Sequence, residues 1–552
     1  MNRRITVGGV VATLPLFAAC LGPARETETV FHRDIAPIIF AQCTPCHRQG
    51  GGAPFPLETY RQVRKRGRDI VDVTESGYMP PWQPTAGFGR FRGERRLEAG
   101  QKKRLSDWFA AGMPAGDPAE APPAPEFAGG WQLGVPDLEV AMIESFVLPA
   151  TGIDEIRNFV IPIPLERRAW VRAVELLPGN PAVIHHAVLK IDRTGVSRRL
   201  DLDDPAPGFA GMAMGNAESP DGHQLVWAPG TTPDLGDSRL AWPAMPGSDL
   251  VLQLHMVPSG REEQVHARIG FHFTDREPEL RPFDLLLEDV SLDIPPGDDA
   301  YLAEDRLELP MPITVLSLFP HAHYLGKQME VYADLPGGER RWLLKIENWD
   351  FNWQGAYRFV EPLALPAGTT LHMRYRFDNS VGNLANPSYP PRRVIGGNRS
   401  TDEMATLALQ VVTDSEEDKQ RLYTLQFLRR LERNPDDAVA HYNLGVVAAQ
   451  AGDLQRAADY YGRAISLDPA DPGFRFFLAN VRYRQRRFDE ALALYGETLR
   501  LDPGRVEAHL IRGWLLEQNG DPGAAAAEYR SALARAPGFE DARAALQRVE
   551  QE

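Results

Sequence analysis

The sequence predicts a multidomain protein in which a small all-α domain is followed by two all-β sandwiches and an all-α solenoid. The chain of 552 residues is too long for one hydrophobic core, and its 43% hydrophobic and 24% charged residues are typical of folded proteins. Short alternating apolar runs fill the region from about 130 to 412, with helical patterns on both sides. The third observation is a strict 34-residue period after residue 417.

Residues 1–20 have the pattern of an export signal. Arg3 and Arg4 give a basic start, and the apolar run from Ile5 to Ala19 is too short to span a membrane. Cys20 follows two alanines and resembles a bacterial lipobox, in which the cysteine is acylated. We expect a periplasmic or cell-envelope protein anchored to the membrane through Cys20. Plain signal cleavage nearby and a twin-arginine signal are the alternatives.

Residues 31–115 form the predicted all-α domain and contain Cys43-Thr-Pro-Cys46-His47. This spacing is the attachment pattern of c-type haem, because two thiols bond the haem vinyl groups and the adjacent histidine ligates the iron. A redox pair or half of a zinc site is the alternative, but zinc would need two further cysteines nearby. The domain resembles bacterial cytochrome c domains with one covalent haem. Because Cys20, Cys43 and Cys46 are all assigned, we expect no disulfide.

The second axial ligand of the haem iron is expected downstream of His47. Met79, in the stretch Tyr78-Met-Pro-Pro-Trp82, has a spacing that suits a loop returning over the opposite haem face. Met113 is the competitor, although it follows the last predicted helix of the domain. A thioether ligand would raise the haem potential and suit electron transfer. His32 is expected at the surface, with a place beside the haem as the alternative.

The histidines of the β region occur in three groups: His185 and His186, then His255, then His321 and His323. Strand residues two apart share one face, so His321 and His323 would chelate one metal ion. The adjacent His185 and His186 would do so only with a local bulge or twist. Taken singly, each group is more often a core or surface feature than a metal site.

The order of these groups, followed by Asp402-Glu-Met404, resembles the copper type II, ascorbate-dependent monooxygenases. That family includes peptidylglycine hydroxylating monooxygenase and dopamine β-hydroxylase. Trp227-Ala-Pro-Gly230 also resembles a family segment. The resemblance covers residues 130–412 and implies two jelly-roll-like sandwiches, at 130–280 and 283–412, that face each other across a solvent-filled cleft with one copper each.

The resemblance also implies a role for each group of ligands. By motif, the electron-transfer copper is held by His185, His186 and His255, and the oxygen-binding copper by His321, His323 and Met404. Ligand chemistry agrees with these assignments, because imidazole suits copper in both oxidation states and a thioether favours Cu(I).

This chain departs from the family pattern at two substrate-side positions. Phe319 stands where the peptide-hydroxylating enzyme has an arginine, and Ala408 stands where the family has a tyrosine. We therefore do not expect peptide amidation, and the pocket is expected to be more apolar. Two interpretations of Gln253 are open. It would either act at the site, by orienting the copper ligands or lining the cleft, or serve only in packing.

Residues 417–552 resemble tetratricopeptide repeats. Prolines, alanines and tyrosines each recur at 34-residue intervals, and a closing helix is predicted from Glu540 to Gln551. The recurring residues are Pro435, Pro469, Pro503 and Pro537, with Ala457, Ala491 and Ala525, and with Tyr461, Tyr495 and Tyr529. Such concave helical arrays bind peptides or proteins, so a protein partner is expected; a stabilising cap on the second sandwich is the alternative.

Together these features predict an exported copper-dependent monooxygenase that uses O₂ to hydroxylate a C–H bond of an unknown organic substrate. The fused haem would deliver electrons from an upstream donor to the first copper. The net charge of −15 argues against a nucleic-acid partner. A non-catalytic electron carrier or copper-binding protein with a repeat module is one alternative, and an assembly scaffold is another.

Overall fold

The computed structural model describes residues 28–125 and 130–551, except for positions 153, 216, 230, 232, 398 and 400 and the stretch 536–538. The predicted export signal with Cys20, and also Gly230 and Pro537, lie outside the described residues. Within the described part of the chain, no helix is both long and apolar enough to cross a membrane.

The N-terminal module is helical and has its own core. A π-helical turn, Phe31–Ile35, leads into α1 (Ala36–Gln42), followed by α2 (Tyr60–Lys65), α3 (Gly67–Glu75) and α4 (Ala99–Ala110). Phe31 and Trp108 are fully buried in this core, and the Trp108 Nε1–H group donates to the Pro114 carbonyl at 2.9 Å. A capping box between Thr59 and Gln62 begins α2.

Residues 82–92 leave the helical module and pack on the second β domain. We call this stretch the strap. Its Phe91 pairs with Phe359 and is buried in the core of that domain, and the Thr85 N–H group donates to the Lys345 carbonyl at 2.7 Å. The sequence predicts these residues within the helical domain at 31–115, whereas Phe91 and Trp82 pack in the core of the second β domain.

The first β domain consists of antiparallel sheets that enclose one core. A five-stranded sheet has the order β6-β3-β9-β5-β7, a four-stranded sheet has the order β1-β11-β4-β8, and β10 pairs with β2. The strands are β1 (Leu138–Ala141), β2 (Phe146–Leu148), β3 (Glu155–Pro162), β4 (Ala169–Leu177), β5 (Ile184–Asp192), β6 (Phe209–Ala210), β7 (Leu225–Trp227), β8 (Trp242–Ala244), β9 (Asp249–Met256), β10 (Glu263–Val265) and β11 (Arg268–Thr274). Helix α5 (Val196–Asp203) follows β5, and 3₁₀ turns occur at Pro118–Glu120, Pro220–Gly222 and Ser238–Leu240.

The second β domain has two four-stranded antiparallel sheets, β12-β21-β15-β18 and β14-β19-β16-β17, and the pair β13-β20. Both larger sheets contribute to one core, with Leu407 from the first and Tyr375 from the second fully buried. The strands are β12 (Phe283–Glu288), β13 (Asp293–Ile294), β14 (Tyr301–Glu308), β15 (Ile313–His321), β16 (Gly326–Asp334), β17 (Arg340–Ile346), β18 (Tyr357–Leu365), β19 (Thr370–Phe377), β20 (Val394–Ile395) and β21 (Thr406–Val412), with a 3₁₀ turn at Phe351–Trp353.

The two β domains contact each other directly. The Gln410 side chain donates to the Gly222 carbonyl at 2.9 Å, and the Gln224 side chain donates to the Asp284 carboxylate at 2.8 Å. Burial raises the pKa of Asp284 to about 6, although Gln224 and Lys190 oppose this shift. The interface therefore contains a carboxyl group whose pKa is raised by burial to about 6.

Asp284→Asn should make the thermal stability less dependent on pH. The raised pKa means that the folded state favours the protonated carboxyl. This contribution to stability is fully present below the unfolded pKa and is lost as pH rises through about 6. Between pH 5 and pH 8 we expect the wild type to lose about 1 kcal/mol more than the variant. Melting temperatures at the two pH values measure the difference, and equal slopes would contradict the assignment.

The C-terminal region is a regular succession of helix pairs with small residues where the helices cross. Gly445 lies against Tyr461, where an added Cβ would come within 2.6 Å of the ring, and Gly513 has the same relation to Tyr529. These close approaches require glycine and explain the repeat pattern. The helices are α6 (Glu416–Arg433), α7 (Ala438–Gln450), α8 (Leu454–Leu467), α9 (Pro472–Arg484), α10 (Phe488–Leu501), α11 (Val506–Gln518), α12 (Pro522–Arg535) and α13 (Glu540–Gln551).

The helical array touches both β domains. Arg429 and Arg433 of α6 pair with Asp305, a carboxylate of the second β domain whose side chain is only 2% exposed. At the other end, Arg199 of α5 pairs with Asp502 at 3.0 Å and donates to the Gly504 carbonyl at 2.6 Å. The array therefore joins the two β domains, which is more than a cap on the second one.

Candidate metal centres

His185, His186 and His255 come together on two neighbouring strands, and we call them the first cluster. Strand β5 pairs antiparallel with β9, and His186 lies directly opposite His255. The register shifts between Ile184 and His186, which is the local irregularity that two adjacent histidines need. One ligand atom from each of the three side chains lies within 4.8 Å of the others.

The nitrogen atoms of the first cluster are arranged as a metal site requires. The Nδ1 atoms of His185 and His186 lie 3.2 Å apart, and His255 donates from Nε2 to the Asp154 carboxylate at 3.0 Å. Two ligands at about 2.0 Å from one metal ion are separated by about 3 Å, so the spacing fits. His255 Nδ1 is buried without a hydrogen-bond partner. An orphaned lone pair beside two converging imidazoles fits a bound cation.

Burial keeps the imidazoles of the first cluster neutral. Together with neighbouring histidines, it lowers the pKa of His185 to about 4 and that of His186 to about 3. Burial also lowers the pKa of His255, although Asp154 opposes the shift. Neutral imidazole is the form that binds a metal, so the cluster needs no proton release at neutral pH.

His321, His323 and Met404 lie at the end of the β15 and β21 pair, and we call them the second cluster. His321 is the last residue of β15 and lies opposite Thr406, so Met404 stands two residues beyond that pairing. His323 follows the strand end, and its ring centroid is 5.1 Å from that of His321.

Both histidines of the second cluster have Nδ1 engaged. His321 donates from Nδ1 to Gln354 Oε1 at 2.6 Å, and His323 donates from Nδ1 to the Asp402 carbonyl at 2.9 Å. These bonds fix the tautomer that leaves both Nε2 atoms available to a metal ion. Burial lowers the pKa of His321 to about 4, so this imidazole is neutral.

The Glu403 carboxylate organises the backbone of the second cluster. It accepts from the N–H groups of His323 at 2.8 Å, Leu325 at 2.6 Å and Met404 at 3.1 Å. Burial raises the pKa of this carboxyl to about 7, against the effect of those bonds. Glu403 thereby ties the histidine segment to the methionine segment.

The two clusters face each other between the β domains. His321 contributes to the lowered pKa of His186, because two protonated imidazoles would repel each other, so the two lie within electrostatic range. Asp350, on the second β domain, has the opposite effect on the pKa of His185. A cavity of about 590 Å³ adjoins the second cluster through Gln354.

The two departures from the family pattern are cross-strand neighbours. Phe319 on β15 lies directly opposite Ala408 on β21, so a large side chain faces a small one. The Phe319 ring also lies nearly parallel to His321, with centroids 6.3 Å apart. Both positions thus shape the wall behind the second cluster.

The Cys43–His47 motif lies at the C-terminal end of α1. The His47 N–H group donates to the Cys43 carbonyl at 2.8 Å, and His47 Nδ1 donates to the Phe55 carbonyl at 3.0 Å. This second bond leaves Nε2 available, as an axial ligand requires. Burial raises the pKa of the Cys43 thiol to about 12 and also raises that of Cys46.

The two candidate methionine ligands have different surroundings. The sulfur of Met113 lies against Gly67, and its carbonyl accepts from the Tyr60 hydroxyl at 2.8 Å, so Met113 belongs to the core of the helical module. Met79 follows α3 and is partly buried, with its N–H group bonded to the Val73 carbonyl. Of the two, Met79 is therefore the one that is not packed against the helices of the module's core. His32 packs its ring between Phe31 and Tyr60.

Three contributors to the clusters are not predicted by the sequence. They are Asp154, Gln354 and the role of Glu403. Asp154 and Gln354 come from loops distant from the histidines they contact, and nothing in their own sequence context marks them. Gln253 bonds to the Asn158 side chain and to the Met212 carbonyl, each at 2.9 Å. Those partners favour the packing interpretation of Gln253.

Comparison with known proteins identifies only the C-terminal region. A tetratricopeptide-repeat family model matches residues 425–472 and 478–538, so this region consists of tetratricopeptide repeats. A crystal structure of MamA is 16% identical over 25% of this chain and 85% of its own, with a TM-score of 0.23. The Arabidopsis OM64 TPR domain is 24% identical over 21% of this chain and 95% of its own, with a TM-score of 0.20. No curated protein matches the chain.

Proposed function

We propose that this protein is an exported copper-dependent monooxygenase with a fused c-type haem. The observation that carries the proposal is the first cluster, in which one buried and two half-buried neutral imidazoles converge and face a second group of ligands. A structural histidine cluster would satisfy its own nitrogen atoms, whereas His255 Nδ1 is buried without a partner.

In this proposal His185, His186 and His255 hold one copper, and His321, His323 and Met404 hold the other. When bound, the two coppers would store one electron each and activate O₂ for insertion of one oxygen atom into a C–H bond. Asp154 orients the His255 ring, and Gln354 orients that of His321. Glu403 keeps Met404 beside the histidines through its backbone bonds.

The helical module would be a cytochrome c domain in which Cys43 and Cys46 attach the haem and His47 and Met79 ligate its iron. The haem would supply single electrons received from an upstream donor. A contact near the motif supports delivery to the first cluster: a Cβ on Gly52 would lie 3.1 Å from Pro229 and 3.4 Å from the Pro181 carbonyl. Pro181 is four residues before His185, so the haem loop would adjoin the first copper. Fusion would keep the donor at a high effective concentration.

The cavity beside Gln354 is the proposed place of the organic substrate. Its lining includes the aromatic residues Trp82, Trp227 and Trp353 and the cations Arg172 and Arg358. This mixture favours an amphipathic substrate, whereas the sequence predicts a more apolar pocket.

The repeats would bind a protein partner beside the first β domain. A groove of about 1190 Å³ lies between the two, with Tyr442, Phe474 and Phe477 on the repeat side. Aromatic side chains that line a concave helical surface are typical of peptide-binding sites. The proposed location is the periplasm or cell envelope, with Cys20 as the lipid anchor.

Metal analysis with electron paramagnetic resonance tests the proposal. Protein matured in a periplasm with haem and copper supplied should contain one haem and two Cu(II) per chain. His255→Ala and Met404→Ala should each lose about one copper. His372→Ala is the matched control, because this histidine stacks on Tyr332 away from both clusters and should leave both coppers bound.

A chain with haem but no tightly bound copper would rule out the monooxygenase. A chain with two coppers that consumes no O₂ with any reductant and candidate substrate would instead be the non-catalytic electron carrier.

A further inference from the structure

The segment Asp350–Gln354 is held by the strap from the N-terminal module. The Gln83 side chain accepts from the Asp350 N–H group at 2.7 Å and donates to the carbonyls of Asp350 at 3.2 Å and Trp353 at 2.8 Å. One carboxamide thus satisfies three backbone groups of a single 3₁₀ turn. These bonds join residues more than 260 positions apart in the chain.

The same segment contacts the second cluster. Gln354 accepts from His321 Nδ1, and the Phe351 ring lies edge-on to His323 with centroids 5.6 Å apart. The segment therefore has Gln83 on one side and both histidines on the other. Because Gln354 is one residue beyond Trp353, whose carbonyl Gln83 binds, a displaced turn would displace the partner of His321.

We infer that Gln354 is a positioning residue for His321, and that Gln83 makes the geometry of the second cluster depend on docking of the N-terminal module. The inference rests on the proposed copper site at His321, His323 and Met404. The Gln354 carboxamide selects the His321 tautomer with a lone pair on Nε2. Loss of such an outer partner typically weakens metal binding by about 10- to 100-fold.

Four variants separate positioning from simple packing. Gln354→Met keeps the side-chain size but removes the acceptor, whereas Gln354→Glu keeps the acceptor. Gln83→Met removes all three bonds to the turn. Arg92→Met is the matched control, because it cuts another contact of the strap, an exposed ion pair with Asp234.

Copper affinity of the second cluster is the first measurement. In a His255→Ala background, we measure Cu(I) binding by competition with a chromogenic chelator and record the Cu(II) resonance spectrum. We expect Gln354→Met to weaken binding about 10- to 100-fold. Gln83→Met should weaken it less but alter the spectrum in the same direction. Gln354→Glu and Arg92→Met should bind copper about as tightly as the background protein does.

Hydrogen exchange of the metal-free protein is the second measurement and needs no copper site. Gln83→Met should speed amide exchange in the segment Asp350–Gln354 and in the peptide that contains His321, whereas Arg92→Met should not. Unchanged exchange and unchanged affinity in Gln83→Met would overturn the coupling. If the background protein binds no copper here while the exchange result holds, the proposed function fails and the mechanical link stands.

Discussion

Replacing Cys43 and Cys46 together with alanine should abolish covalent haem attachment. The thioether bonds need both thiols beside the axial histidine, and the described chain has no other cysteine to replace them. Each single variant should retain one thioether and a reduced haem yield. Haem-stained denaturing gels and alkaline pyridine spectra measure the covalent fraction directly.

The double variant should still bind copper at both clusters, because the thiols contact neither one. Pro45→Ala is the matched control, since it changes the loop between the cysteines without removing a thiol, and its haem should remain attached. Normal haem staining of the double variant would contradict the cytochrome assignment. Loss of copper together with haem would show that the helical module folds only around its cofactor.

Asp305→Ala should detach the repeat array from the second β domain. The carboxylate is almost wholly buried, pairs with Arg429 and Arg433, and accepts from the Glu288 N–H group at 3.0 Å. Removing it leaves Arg429 and Arg433 with only backbone carbonyls as partners. Because Arg433 is 39% exposed, we expect a cost at the lower end of the about 3–5 kcal/mol that breaking a buried pair typically has. Denaturant unfolding should show an earlier transition of the array, and limited proteolysis should cut near residue 414.

Asp436→Ala is the control for that experiment. Its carboxylate pairs with Arg463 at an exposed position, where 70% of the aspartate side chain is accessible. Such a pair contributes less than about 1 kcal/mol, so this variant should unfold as the wild type does. Equal effects of the two substitutions would show that the array is held mainly by apolar contacts such as that of Leu422.

The sequence predicted the features that depend on local repetition. The 34-residue period revealed the helical repeats because Gly445 and Gly513 each meet a tyrosine ring at the same crossing. The alternating runs likewise revealed the β region, with its second part beginning at Phe283, where β12 begins. These signals are local because each residue's environment repeats along its own element.

The sequence could not reveal the contacts made across long separations. The approach of His185 and His186 depends on a register shift, which is set by the pairing with β9 and not by the two residues. The sequence places the strap in the helical domain, whereas it packs on the second β domain. Its partners there, near Lys345 and Phe359, lie more than 250 residues away. Gln83 and Asp154 have ordinary sequence contexts, and only the folded chain shows what they bind.

The placement of the repeat array has a mechanical consequence. The two β domains touch each other, and the array is fastened to one by Asp305 and to the other by Arg199, so the three bodies form a closed ring. A two-domain hinge can swing about its single junction, whereas a ring opens only if a link breaks or every member deforms. A ligand seated in the groove at the Arg199 link would therefore change the stiffness of the ring.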